Sequence, residues 1–497
     1  MKQWADKKVL VLGLGETGLS MLRWLSAQGA RLRAADSRSK PPGAADAERY
    51  VDAGQIFCGA FSDALLEGIE LIAISPGVPL RNAVVATAVA RGIPVVGDIE
   101  LFAQQLRIQD SGFRAKVIAI TGANGKTTVT SMVEHLCRAA GRDAVAAGNI
   151  SPAVLDVVLE RNAKQPEIWV LELSSFQLET TFSLNADAAT VLNVSEDHLD
   201  RYAGMDEYAA AKARIFQGSG VQVLNRDDAR SMGMAMPGRK VVTFGLTPSG
   251  LPLSGEENDA WGIEHDASDI WLMQGKQRLL KAGELQVAGL HNAANALAAL
   301  ALCRAIDLPL PVLLEALRSF RGLPHRVERV AEIGNVTYYD DSKGTNVGAT
   351  IAALQGLGGM TRCAQASGAG VPPSRKIVLI AGGEGKGQDF APLNPVVAMH
   401  ARAVVLIGRD AAKIASALDG CGVTVVRAKD MSDAVQQASR LAHSCDAVLL
   451  SPACASFDMF RNYAHRAEMF VQAVHELTPP NPPLSGGEAI KEGAWSR

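Results

Sequence analysis

The chain has 497 residues, 48% hydrophobic and 20% charged, with 47 glycines, the composition of an ordinary globular protein. At about 100–200 residues per domain, that length points to three domains rather than one. Lysine and arginine number 49 against 52 acidic residues, and the resulting net charge of −3 leaves no footprint for nucleic acid or an anionic membrane.

The chain opens with a strand Lys8–Leu12, a loop Gly13-Leu14-Gly15-Glu16-Thr17-Gly18 and a helical run Leu19–Gln28. A second strand, Arg31–Ala35, ends at Asp36, and a later one, Leu71–Ser75, runs into Pro76-Gly77-Val78-Pro79. Strands alternating with helices predict a parallel, doubly wound sheet. A polar stretch, 107–114, closes this first domain, assigned to residues 1–110.

A second strand–loop–helix unit begins with Lys116–Ile120, followed by a glycine-rich loop and a helix Thr127–Ala140. Further strands read as Ile168–Leu173, Ala189–Asn193 and Val221–Asn225, and 248–284 reads as small antiparallel edge strands. The Ala/Leu-rich helix Asn292–Ala305 completes a domain assigned to 111–321. The third domain, 322–477, is expected from strands Val336–Asp340, Lys376–Ala381, Ala403–Ile407, Val423–Val426 and Ala447–Ser451. Residues 358–375 read as an exposed loop, and the proline-rich 478–497 as a disordered tail.

The seven cysteines are scattered and contain no C-x-x-C pair, a pattern that suits free thiols better than a disulfide framework or a zinc site. There is no signal-type apolar segment and no run of about 18 apolar residues, so the cytoplasm is expected.

The strongest chemical signal is Gly122-Ala123-Asn124-Gly125-Lys126-Thr127-Thr128, between a strand and a helix. Glycines let successive backbone N–H groups and the helix N-terminus face phosphate. Lys126 then reaches the terminal phosphates and the Thr127 hydroxyl a Mg²⁺ ion. Ile120 stands where the general motif has its first glycine. Glu172, in an apolar strand, is either a metal ligand or a strand-end carboxylate facing solvent. His198, in the polar loop 193–200, is either structural or a further Mg²⁺ ligand. Lys212, in an alanine-rich helix, reads by itself as a solvated surface lysine. Gly13-x-Gly15-x-x-Gly18 with Asp36 matches a dinucleotide fingerprint, equally suited to the diphosphate and ribose of a UDP-sugar. The loop Gly382-Gly383-Glu384-Gly385-Lys386 lacks a Ser/Thr after its lysine, so it suggests an anion contact rather than a second ATPase.

Together these strings resemble the Mur ligases of bacterial peptidoglycan synthesis over about residues 5–475. The strings are GANGKTT (122–128), ELSSFQLE (172–179), NVSEDHLDRY (193–202), HNAANALAAL (291–300), LPHRVE (323–328), DDSKGTN (340–346) and SPACASFD (451–458). The resemblance implies three α/β domains: a Rossmann-like N-terminal domain, a central P-loop ATPase-like domain with a mostly parallel sheet, and a Rossmann-like C-terminal domain. The last two strings, and the absence of Asp-Asn-Pro-Arg, imply the glutamate-adding branch, with UDP-N-acetylmuramoyl-L-alanine and D-glutamate as substrates and a monomeric enzyme.

The resemblance implies that ATP meets Gly122, Asn124, Gly125, Lys126, Thr127, Thr128, Asn292, Asn295, Arg326 and Asp341. Two Mg²⁺ ions would be held by Thr127, Glu172 and His198. Lys212 matches the lysine carbamylated in this family, which reverses the surface reading. Gly15, Glu16, Thr17, Asp36 and Asn149 resemble contacts to the uridine nucleotide. Lys343, Thr345, Lys386, Ser456, Phe457 and Tyr463 resemble those to D-glutamate, with Tyr463 often Phe in relatives. Catalysis would fall to Lys126, Lys212, His198 and Lys386. Rival readings are another amino-acid-adding or folate-extending ligase, a nucleotide-binding regulator, and, from the first domain alone, an NAD-dependent dehydrogenase.

Overall fold

The structure is a computed structural model and describes residues 3–108, 114–162, 164–197, 201–247, 259–266, 269–358 and 376–477. His198, most of the 358–375 loop and the 478–497 tail lie outside the described residues, as do 248–258 of the expected edge strands. Two compact units divide the chain, Met1–Leu323 and Pro324–Arg497.

In the first unit, β1 (Lys8–Leu12), β2 (Arg31–Asp36), β3 (Ile56–Cys58), β4 (Leu71–Ile74) and β5 (Val95–Val96) form a parallel sheet in the order β3-β2-β1-β4-β5. The order reverses beside β1, so the loop Gly13–Gly18 leaves the strand ends at a switch point, where open α/β sheets bind ligands. Gly18 is required for close packing: a Cβ there would lie 1.8 Å from the Gly13 carbonyl oxygen.

The second sheet contains β6 (Lys116–Thr121), β7 (Ala144–Gly148), β8 (Ile168–Glu172), β9 (Ala188–Val191), β10 (Val221–Asn225), β11 (Val241–Phe244), β12 (Ala260–Asp266), β13 (Asp269–Gln274) and β14 (Gln277–Lys281). Its order is β14-β13-β12-β11-β10-β9-β6-β8-β7. It is parallel up to β12 and antiparallel through β13 and β14, the edge strands expected from alternating polarity. The inner strands β6 and β8 are near-continuous apolar runs because helices cover both faces.

These first two sheets do not form separate compact units. One apolar core runs from Val9, Trp24 and Phe102 to Trp169, Leu171 and Tyr208. Polar contacts reinforce it: Arg23 pairs with Asp156 at 2.6 Å, and Glu100 Oε2 accepts the Phe182 and Ser183 N–H groups at 2.7 and 2.8 Å. Asp98, fully buried, accepts Gln177 Nε2 at 3.0 Å.

Burial lifts the Asp98 carboxyl to about 6, against the Gln177 hydrogen bond that pulls it down. Its folded-state pKa therefore lies above that of the unfolded chain. The group favours the folded state below about pH 4, and that contribution is lost as pH rises towards 6. Asp98→Asn cannot ionise, so its melting temperature relative to the native protein is expected to climb between pH 4 and 6. The climb corresponds to at most about 3 kcal/mol at 1.36 kcal/mol per pH unit. A difference independent of pH would refute this.

The second unit carries β15 (Glu328–Ile333), β16 (Val336–Asp340), β17 (Ile377–Gly382), β18 (Ala401–Ile407), β19 (Thr424–Arg427) and β20 (Ala447–Leu450), in the order β15-β16-β20-β17-β18-β19. Among these strands only the β15–β16 pairing is antiparallel. The free-thiol expectation holds for Cys58, Cys137, Cys303, Cys421 and Cys454, whereas Cys445 is disulfide-bonded. Among the described residues no helix is long and apolar enough to cross a membrane.

Candidate active site

The loop Gly122–Gly125 leaves the C-terminal end of β6 and enters the helix Lys126–Ala139. Gly125 caps that helix at φ 84°, and a Cβ on it would sit 2.8 Å from Asn295 Oδ1. Both facts demand glycine: the backbone is left-handed, and the helix Leu290–Ala305 presses its asparagine against the loop. Asn292, on the same helix, anchors itself to Ala288 O at 2.7 Å and accepts Asn295 Nδ2 at 3.1 Å. The two asparagines of HNAAN therefore stand beside the phosphate loop.

Asn193 fixes the loop from the other side. Its Oδ1 accepts the Asn124 N–H at 2.8 Å, its Nδ2 donates to Asn124 O at 3.1 Å, and its own carbonyl accepts the Ala123 N–H at 2.9 Å. A side-chain amide here pairs with the backbone as a neighbouring strand would. Sequence reading gave Asn193 no role, although it opens the NVSEDH string.

Two lysines converge on one carbonyl. Lys126 Nζ donates to Gly122 O at 2.8 Å and to Ala123 O at 2.9 Å, while Lys212 Nζ donates to Gly122 O at 2.8 Å. Lys212 is only 1% exposed and lies 4.5 Å from the Tyr208 ring centroid. The surface-lysine reading is thus wrong. Its helix, Met205–Ala213, packs Lys212 inward, and burial together with the Lys126 cation pushes its pKa well below the ordinary value, against the pull of Asp197.

Glu172 also departs from the solvent-facing alternative, being 2% exposed at the end of β8 and level with Ile120 in the β6 register. Its Oε1 accepts Asn149 Nδ2 at 3.0 Å, but Oε2 is buried without a hydrogen-bond partner. A buried carboxylate oxygen with no donor is costly unless a cation meets it. An oxygen ligand at the lip of a phosphate loop fits Mg²⁺. Immediately afterwards, Ser174 and Gln177 form a capping box on the short helix Ser175–Glu179, so part of the ELSSFQLE string is structural.

At the first sheet, Asp36 closes its own loop. It accepts the Leu14 N–H at 2.7 Å and pairs with Arg38, which holds its carboxyl down at about 2. Ser151 donates to Glu16, so the turn after Asn149 reaches the Gly13–Gly18 loop. Gly15 precedes the helix Glu16–Ala27, with Glu16 and Thr17 in its first turn.

In the second unit, three loops leave adjacent parallel strands β16, β20 and β17. Ser451 Oγ donates to Asp341 at 2.7 Å; burial raises the Asp341 carboxyl to about 7, opposed by that bond and by Arg326. His325 Nδ1 meets Asp340 at 2.7 Å, and the residues on either side of Arg326, His325 and Val327, have φ of 63° and 52°. A β-branched residue in that region marks a strained loop. Lys343 Nζ lies 3.9 Å from the Tyr463 ring centroid. Ser456 is buried, while Phe457 and Lys386 are exposed.

Arg466, absent from the sequence reading, is fully buried. It donates to Ser342 Oγ at 3.0 Å, Ser342 O at 2.8 Å and Cys454 O at 3.1 Å, and burial lowers its pKa to about 10. A charge in phase with Phe470 and Ala473 on the inward face of the helix Tyr463–Glu476 was the available signal.

Three family models match in order: the Mur ligase MurD-like N-terminal domain over residues 7–97, the Mur ligase middle domain over 120–303, and the Mur ligase glutamate ligase domain over 325–454. The chain belongs to the Mur ligase family. A UDP-N-acetylmuramoylalanine–D-glutamate ligase from Methylobacillus flagellatus is 57% identical over 96% of this chain and 98% of its own. The proteins so named from Nitrosomonas europaea and Thiobacillus denitrificans are 54% and 55% identical, over 95% and 96% of this chain and 96% and 97% of theirs. Among solved structures, the UDP-N-acetylmuramate–alanine ligase of Thermotoga maritima aligns at TM-score 0.56 with 19% identity, over 95% of this chain and all of that one. The MurF ligase of the same organism, in complex with ADP, aligns at TM-score 0.57 with 16% identity, over 96% and 97%. These last two likenesses show the fold.

Proposed function

We propose that this chain is the ATP-dependent ligase that adds D-glutamate to UDP-N-acetylmuramoyl-L-alanine, releasing ADP and phosphate, in cytoplasmic peptidoglycan precursor synthesis. More than half of its residues are identical to those of full-length relatives named for that activity. The structural observation that carries the reading is the pair of lysines on Gly122 O beside the buried, half-partnered Glu172. An NAD-dependent dehydrogenase has no use for that arrangement.

The chemistry follows from the reactants. A carboxylate is unreactive towards an amine, so its oxygen first attacks the γ-phosphorus of ATP, the P–O bond to ADP breaks, and an acyl phosphate forms. The D-glutamate amine then attacks the acyl carbon, loses a proton, and the tetrahedral intermediate expels phosphate to leave the amide. No side-chain nucleophile is needed.

In this reading Lys126, at a helix N-terminus, offsets charge on the transferred group. Gly122, Asn124, Gly125 and Thr128 surround the phosphates, and Asn292 and Asn295 take adenine. Arg326 and Asp341 take the ATP phosphates and ribose. Thr127, Glu172 and His198 would hold two Mg²⁺ ions, which would neutralise phosphate charge. Lys212 acts as a carbamate: its amine, whose pKa burial pulls down, adds to CO₂ with loss of a proton and becomes an anion that would orient metal. Gly15, Glu16, Thr17, Asp36 and Asn149 take the uridine nucleotide. Lys343, Thr345, Lys386, Ser456, Phe457 and Tyr463 take D-glutamate. The domains are those of 1–110, 111–321 and 322–477, and the enzyme is a monomer.

Phosphate release from ATP and UDP-N-acetylmuramoyl-L-alanine is expected to depend on D-glutamate, and not to respond to L-glutamate, L-alanine or diaminopimelate. Release indifferent to D-glutamate would sink the assignment.

A further inference from the structure

Lys386 is the one lysine of the proposed D-glutamate set with a left-handed backbone, φ 51°, followed by Gly387 at φ 77°. Gln388 N–H closes the turn onto Gly385 O at 3.1 Å. Two positive φ values inside such a closure are those of a type I′ turn, which favours Gly, Asn and Asp and is disfavoured for a lysine. Such a turn persists only where its surroundings hold it.

Its leading end is held twice. Glu384 and Ala455 exchange two backbone hydrogen bonds of 2.9 Å, and Gly385 N–H donates to Asp410 Oδ2 at 2.7 Å. Its trailing end is held by one side chain. Gln388 Nε2 donates to Ala453 O at 2.7 Å, and Oε1 accepts the Val347 N–H at 2.9 Å. Val347 begins the helix Val347–Gly358, so its N–H has no acceptor within the helix. Ala453, itself left-handed at φ 58°, donates its N–H to Gly344 O at 3.0 Å.

We infer that Gln388 is a positioning residue for the amino-acid substrate: it ties the loops after β16, β17 and β20 together and so fixes Lys386 at the tip of its turn. The inference rests on the assignment of D-glutamate to these loops. The link needs a donor and an acceptor on one side chain. Glutamate keeps the bond from Val347 and loses the one to Ala453; methionine, of similar length, loses both.

Steady-state phosphate release by the full-length protein, with each substrate varied in turn, tests it. Gln388→Met is expected to raise the D-glutamate KM about tenfold, the effect of losing two modest hydrogen bonds, with the KM values for ATP and the UDP-substrate little changed. Gln388→Glu falls between Gln388→Met and the native protein. In apo Gln388→Met, the Val347 amide exchanges with solvent about tenfold faster than in the native protein. An unchanged D-glutamate KM in Gln388→Met overturns the inference, as does an equal rise in all three KM values. If the native protein shows no response to D-glutamate, the functional assignment itself has failed; amide exchange then decides for Gln388, and unchanged protection at Val347 overturns the link.

Discussion

Lys212→Ala is expected to lose about 10³-fold or more in turnover, the scale seen when one preorganised charge-stabilising group is removed from an active site. The argument starts from burial. A lysine with 1% exposure, sharing a carbonyl oxygen with the Lys126 ammonium, gives up its proton more readily than a surface lysine, because burial first and the neighbouring cation second lower its pKa. A neutral amine adds CO₂; a cation does not. Excess bicarbonate or a short carboxylic acid is expected to restore part of the alanine variant's activity, because either can place an anion in the space the side chain leaves. Carbon-13 NMR of native protein equilibrated with labelled bicarbonate should show a carbamate resonance that Lys212→Ala lacks. A fully active alanine variant would rule the carbamate out.

The second large effect separates catalysis from stability at Glu172. Glu172→Gln is expected to reduce turnover at least 100-fold and to demand more Mg²⁺, while the melting temperature stays level or rises. The amide oxygen can still accept from Asn149 at the position of Oε1. The change also removes a buried charge whose second oxygen has no donor, which otherwise destabilises the folded state by about 1–3 kcal/mol. Purely structural glutamate would behave the opposite way: activity retained and stability lost. Titrating Mg²⁺ against activity, with thermal melts of both proteins, distinguishes the two.

The parts of the site legible in the sequence are those whose chemistry is local. A glycine loop between an apolar strand and a helix announces backbone N–H groups facing an anion, because turn, strand and helix are all encoded within about 25 residues. Gly125, Lys126 and Thr127 were found that way, and so was Gly13–Gly18. The residues that were missed owe their roles to distant partners. Asn193 pairs with a backbone 69 residues away, and Arg466 with Ser342, 124 residues away. Gln177 reads as one letter of a motif, yet it caps its own helix and also reaches Asp98. Nothing in YAAAKA says that its lysine points inward; only the family resemblance raised that possibility.

The sequence by itself determined the α/β alternation, the edge strands of the central sheet, the phosphate loop and the list of polar strings, since each depends on periodicity or on glycine at fixed spacing. Tertiary structure decided which strings meet. It joined the first two sheets through one core, because apolar faces on both sides of that junction are buried together. It turned Lys212 and Glu172 from candidate surface charges into buried groups, Lys212 bonded to the Gly122 carbonyl and Glu172 opposite Ile120 on the neighbouring strand, and left one Glu172 oxygen without a donor. Burial and pairing over long chain separations are properties of packing, and packing cannot be read one segment at a time.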